Sequence, residues 1–193
     1  AHAAAAHPDE LIFEVLKNGF TAECYDGHPF FDADHPVLLD GQTESSVSNF
    51  GGGTGMPWFL LDVSRAVKPL VFQTRIPYQM QRVDKDSDSA VFLSDVYSYG
   101  VRARVNAGFG LWQFAYGSKQ PLTPENYALA RVAMQGKRYD GGRIMGVVPN
   151  LLVVPPSYEA AARALLTADY IADGVANVWR SSAELIVSPY LQE

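Results

Sequence analysis

Four residues in one short stretch have the types that hold a metal ion. CYDGHPFFDADHP (24–36) carries His28, Asp32, Asp34 and His35. Two imidazoles and two carboxylates would suit a divalent ion and a metal-dependent enzyme. Asp32 and Asp34 share one face if the segment is extended, because alternate residues of a strand point the same way. His28 and His35 are seven apart and have opposite parity, and no HExxH-type helical spacing is present. Asp and His also cap turns beside prolines, and Asp26–Gly27 is a hairpin signal between apolar flanks. The turn reading takes precedence, and no metal ligand or catalytic residue is assigned.

Three further stretches are open to chemistry. Cys24 lies near His28, but a thiol nucleophile needs a base and an orienting group, and no orienter can be named. Gly51-Gly52-Gly53-Thr54-Gly55 would suit an anion or small-ligand binder. However, Met56–Pro57 comes next, where a Walker loop needs Lys then Ser or Thr. It reads as the end of a mobile surface loop over 38–55. Asp84, Asp86 and Asp88 alternate as in a calcium loop but lack its glycine and its terminal glutamate. There is no GxSxG. All four histidines (His2, His7, His28, His35) fall in the first 36 residues. This distribution weighs against a hydrolase.

Composition narrows the class. The chain has 193 residues, 48% hydrophobic and 19% charged, which is a globular balance. One cysteine allows no internal disulfide. A net charge of −6 gives no basic footprint for nucleic acid, so Arg102 and Arg104 read as interface or ion-pair groups. No apolar run reaches the ~20 residues of a membrane helix. The alanine-rich start without methionine reads as the beginning of a fragment. Ten Phe, ten Tyr and three Trp are many, and Phe30, Phe31, Trp58 and Trp179 lie in turn-rich stretches, which suggests exposed interface aromatics.

The positioning elements emerge from periodicity. Ala1–Ala6 is helix-favouring. A helix then starts at His7–Pro8, with Pro8 at its first position, and ends near Gly19. Trp58–Leu61 and Leu70–Thr74 are strands. Tyr78–Val83 alternates, and Val91–Tyr97 returns as a strand, making 70–97 a two- or three-stranded antiparallel lobe. Residues 99–105 fit strand or helix equally. Phe109, Trp112 and Tyr116 suggest a helix over 107–116. Thr123-Pro124-Glu125 is a helix start with a hydroxyl cap, and that helix ends near Gly136. Residues 137–148 form a loop or hairpin. Leu151–Val154 is a buried strand ended by Pro155–Pro156, and a helix comes after it with Tyr158, Ala161, Ala162, Leu165 and Leu166 inward. Thr167–Arg180 is irregular, and Ala183–Ser188 is a last strand. The order gives an α+β fold with a mixed sheet.

Long ungapped strings also carry a resemblance: PWFLLDVSRAVKPLVFQTR (57–75), GVRARVNAGFGLWQFAYGSKQ (100–120) and GVVPNLLVVPPSYEAAARALL (146–166). HPDELIFEVLKNGF, YDGHPFFDADHPV and ELIVSPYL extend it over nearly the whole chain. The sequence resembles the major head subunits of Mu-like phages and prophages, a family similar to capsid proteins of the HK97 fold. The resemblance implies an α+β capsid fragment with peripheral and axial domains and mixed or antiparallel sheets packed on helices. It implies that 1–18 is the end of the spine helix, and that the N-terminal arm and extended loop are absent from residues 1–193. It implies a structural protein, not an enzyme, without cofactors. Such a subunit self-assembles into pentamers and hexamers of an icosahedral head around packaged DNA. Implied partners are other copies, with scaffold, protease and portal proteins during assembly. The implied location is the virion, after synthesis in the bacterial host cytoplasm.

Overall fold

The computed structural model describes residues 2–38, 40–85, 87–170 and 174–192. In chain order the helices are α1 (His2–Asn18), α2 (Ser89–Ser94), α3 (Pro124–Gln135) and α4 (Glu159–Thr167). The strands are β1 (His35–Val37), β2 (Ser45–Val47), β3 (Phe50–Gly53), β4 (Trp58–Leu61), β5 (Leu70–Val83), β6 (Ser98–Phe109), β7 (Ala115–Lys119), β8 (Leu151–Val154) and β9 (Glu184–Val187). This is the expected α+β class.

The centre is a five-stranded mixed sheet in the order β3-β7-β4-β8-β9. β4 lies antiparallel to both β7 and β8, whereas β3–β7 and β8–β9 are parallel pairs. All four residues of β4 are buried, as a continuous apolar run in a central strand requires. The two faces of the sheet carry separate clusters. Trp58, Leu60, Tyr127, Met134, Leu152, Val154, Ala162 and Leu166 pack with α3 and α4. Leu16, Phe30, Phe31, Phe59, Leu61, Trp112 and Val153 fill the other face beneath α1. The alternation Trp58/Phe59/Leu60/Leu61 thus feeds both cores from one strand.

The proline-jointed unit folds as expected. β8 ends at Pro155, Pro156 opens a short 3-10 turn over Pro156–Tyr158, and α4 returns the chain to parallel β9. Ala162, Leu165 and Leu166 are buried and Tyr158 partly so, but Ala161 is exposed. Thr123 caps α3 by accepting from the Asn126 N–H at 3.3 Å, with Pro124 at the first position.

Several expectations are corrected. Pro8 lies inside α1, because the alanine run and residues 7–18 form one continuous helix. At 1.5 Å per residue, α1 is about 26 Å long. The glycine run is not a surface loop: Phe50–Gly53 is strand β3, paired with β7. Gly53 has φ +92°, and a Cβ there would overlap the Lys119 backbone, so the close approach of β3 to β7 needs glycine. Residues 89–94 are helix α2, and the partner of β5 is β6. The predicted helix over 107–116 is absent. Phe109 ends β6, Trp112–Phe114 is a 3-10 turn and Tyr116 lies in β7. Gly108 and Gly110 weaken a helix there, and the Gly110 N–H instead bonds the Pro69 carbonyl across the hairpin base at 2.8 Å.

β5 and β6 form a separate two-stranded antiparallel hairpin. Its 12 to 14 residues per strand give roughly 40 Å of length. Register shifts flank Ile76, next to Pro77, which has no N–H for the ladder. α1 lies against the hairpin, where His7 Nδ1 meets the Tyr78 hydroxyl at 2.7 Å, and it reaches the main core through Leu16.

Candidate functional site

The polar residues of 24–36 are organised by a tight turn. Gly27 takes φ +82°, and the Cys24 N–H bonds the His28 carbonyl at 2.8 Å, the hairpin that Asp26–Gly27 predicts. The turn aims Asp26 inward. One of its carboxylate oxygens accepts from the Cys24 thiol at 3.0 Å and the His28 N–H at 3.1 Å. The other lies 2.8 Å from Nδ1 of His35. His35 is fully buried at the start of β1, stacked on Trp112 at 3.9 Å between ring centroids. Its Nε2 lies 3.2 Å from Oδ1 of buried Asn49. The Asn49 amide nitrogen donates to the carbonyls of Phe30 and Trp112, so its oxygen is the end that faces His35.

The four residues singled out from spacing do not form one cluster. His28 pairs with Asp32, Nδ1 to Oδ2 at 3.3 Å, while His35 pairs with Asp26. Asp34 is exposed, so Asp32 and Asp34 do not converge. The atoms that converge are those of Cys24, Asp26 and His35, all within 4.8 Å of one another. From spacing alone, Asp26 is only a turn residue and Asn49 does not stand out. The Asp-Gly dipeptide is the available signal for the first. Asn49 has none, because its partners include backbone atoms far away in sequence.

The electrostatics oppose a nucleophilic Cys24. Burial, and then the hydrogen bond to Asp26, push the thiol up to about 11, so it stays protonated. Burial works to raise the Asp26 carboxyl, but hydrogen bonds from Cys24, His35 and the His28 N–H hold it below its usual range. Lys137 lies over the Trp112 ring, with Nζ 4.8 Å from its centroid and 2.5 Å from the Ser48 carbonyl. It is buried, and that burial lowers it to about 7.

The other flagged groups lie apart from this cluster. Arg102 and Arg104 are exposed on β6. Asp84 and Asp88 flank the hairpin tip, and Asp86 lies outside the described residues. Phe30, Phe31 and Trp58, expected at the surface, are core residues, and Trp179 is half-buried. The exposed apolar surface is elsewhere. Met80, Phe92, Leu93, Val96, Tyr97, Tyr99 and Val101 crowd the hairpin tip and α2, with Phe92 80% exposed.

An α+β sheet body with a long spine-like helix and a projecting hairpin is the HK97-like capsid architecture. The fold superposes on a chain of the procapsid of bacteriophage JBD30 with a TM-score of 0.86 and 40% identity. The match covers 97% of this chain and 65% of that one. Residues 1–191 match the family described as "Mu-like prophage major head subunit gpT", and the chain belongs to that family. It is 42% identical over 98% of its length to the Mu-like prophage FluMu major head subunit of Haemophilus influenzae. It is 40% identical over 97% of its length to the major capsid protein of Escherichia phage Mu. The chain spans 65% of the length of each of these curated relatives. The family is structural, so the polar cluster around Asp26 is to be understood as architecture.

Proposed function

We propose that this chain is the shell-forming part of a phage major head subunit, whose copies associate as pentamers and hexamers of an icosahedral head around packaged DNA. The observation that carries this reading is the apolar hairpin tip. A two-stranded ribbon is marginal alone in water, and this one holds Phe92, Leu93, Tyr97 and Tyr99 in solvent. Apolar patches of that kind mark contact surfaces. Neighbouring copies in a shell are the natural cover.

On this reading α1 is the end of the spine helix, β5–β6 with α2 is the peripheral region, and the five-stranded sheet with α3 and α4 is the axial region. Scaffold, protease and portal proteins act with it during assembly in the host cytoplasm, and the mature location is the virion. The acidic net charge of −6 suits a wall that does not grip its own DNA. Electron microscopy of the full-length protein tests the proposal: shells or capsomer rings are expected. A protein that stays monomeric at high concentration with its scaffold present would overturn it. A tight, salt-dependent DNA-binding isotherm would contradict the charge argument.

A further inference from the structure

The hairpin at 24–28 brings a thiol, a carboxylate and an imidazole to one point. The spacing of the sequence assigns no metal here, but the folded geometry does so with a different set of residues. We propose that Cys24, Asp26 and His35 bind one zinc-class divalent ion, with solvent completing its coordination, as a staple that ties the 24–28 hairpin to β1.

Three observations carry the assignment. First, the three donor atoms already lie within 4.8 Å of one another. Ligands around tetrahedral zinc are about 3.3–3.8 Å apart, so the donors need close by no more than about 1.5 Å. Mixed sulfur, nitrogen and oxygen donors suit a borderline ion rather than calcium or magnesium.

Second, His35 is oriented as a ligating histidine is. A metal-bound imidazole donates its other N–H to a carboxylate or carbonyl, which fixes its tautomer. Asn49 Oδ1 stands 3.2 Å from His35 Nε2, which leaves Nδ1 toward the cluster.

Third, the surroundings are built for a rigid site rather than a reactive one. His35 is fully buried against Trp112, and the Asp26 side chain is only 10% exposed. Asn49 is locked by two backbone carbonyls, so the histidine it orients cannot flip freely. The part-exposed edge at Cys24 and His28 leaves a path of entry. On binding, the Cys24 thiol proton and the proton that His35 Nδ1 shares with Asp26 are both released to solvent, and the thiolate sulfur and Nδ1 become ligands with no change of oxidation state. The ion would link residues 24, 26 and 35, whose side chains otherwise join through hydrogen bonds to Asp26. Such a staple goes beyond the shell reading and does not depend on it.

Cobalt(II) is the probe. Titrated into the purified protein, it should bind at one equivalent and give a thiolate-to-cobalt band in the near ultraviolet, with the visible bands of tetrahedral coordination. Zinc should bleach both. Cys24→Ser, which keeps a donor for Asp26, should lose the near-ultraviolet band while circular dichroism stays unchanged. Asp26→Asn, which removes the carboxylate and keeps the side chain's shape, should weaken cobalt binding at least tenfold. Absence of the near-ultraviolet band in the unmutated protein, a readout that needs no variant to fold, would overturn the site. Unchanged cobalt affinity in Asp26→Asn would overturn the assignment of the carboxylate ligand.

Discussion

The central strands β4 and β8 of the five-stranded sheet are continuous apolar runs, the β5–β6 hairpin interleaves apolar with polar residues, and the apolar residues of the two meet opposite fates. In the sheet, β4 contributes four buried residues out of four, and each of its faces meets a packed cluster. In the hairpin, β5 has no fully buried residue, and α2 at its tip buries only Val91. The sheet is held by its own core. The hairpin is held by its ladder, by α1 at its side and by the His7–Tyr78 contact. On the proposed function, this chain divides its apolar residues between folding and association: buried sheet residues carry stability, and the exposed hairpin residues are left to neighbours.

Substitutions in each region test that division. The largest effect is expected in the sheet. Leu152→Ala on β8 removes a fully buried side chain and should cost about 2–5 kcal/mol in urea unfolding. A loss below about 1 kcal/mol would mean that the sheet core is loosely packed. Next is Gly53→Ala. The positive φ alone costs about 1–3 kcal/mol, and the overlap with Lys119 adds to it, so a loss of about 2 kcal/mol or more is expected. A neutral outcome would show that β3 is not pinned to β7.

Lys137 gives a pH signature beneath the sheet. Its folded value, about 7, lies below the ordinary 10.5, so between those values the unfolded chain holds a proton that the folded chain does not. Stability contributed by this group therefore rises with pH across that window, by at most about 1.4 kcal/mol per unit, and is flat below it. Urea midpoints at pH 7 and pH 9 should show the rise, and Lys137→Met should remove it. A variant with the same slope would assign the effect elsewhere.

The smallest effect on folding, and a large one on assembly, is expected at the tip. Phe92→Ser with Leu93→Ser should change unfolding free energy by no more than about 0.5 kcal/mol, because both side chains are exposed. The same pair should abolish shells of the full-length protein in electron micrographs. Intact shells would show that the hairpin tip makes no essential contact.

Much of the fold was legible in the sequence, and the failures share a cause. Pro155–Pro156 and Thr123-Pro124-Glu125 set local rules that tertiary contacts did not override, so β8, α4 and α3 stand where expected. The glycine run misled because glycine serves both flexible loops and close strand approach, and only the position of β7 decides between them. Phe109, Trp112 and Tyr116 misled because helical spacing arose by chance across the end of one strand, a turn and the start of another. At the cluster, the residue types were visible but the grouping was not. Asp26 belongs with His35 because a left-handed glycine reverses the chain, and Asn49 arrives from the segment leading into β3. Phe30 and Phe31 looked exposable from their turn-rich context, but the turn folds them under α1. The resemblance to the head-subunit family did what periodicity could not, since long strings of matching residues report a whole fold at once.

Hydrogen exchange on the full-length protein, compared between assembled shells and free subunits, gives the sharpest test of the division. Amides of 58–61 and 151–154 should be strongly protected in both states. Amides of 78–101 should exchange quickly in the free subunit and gain at least tenfold protection in the shell. Equal protection of 78–101 in both states would contradict the account, because the hairpin would then be stable without neighbours and uncovered by them.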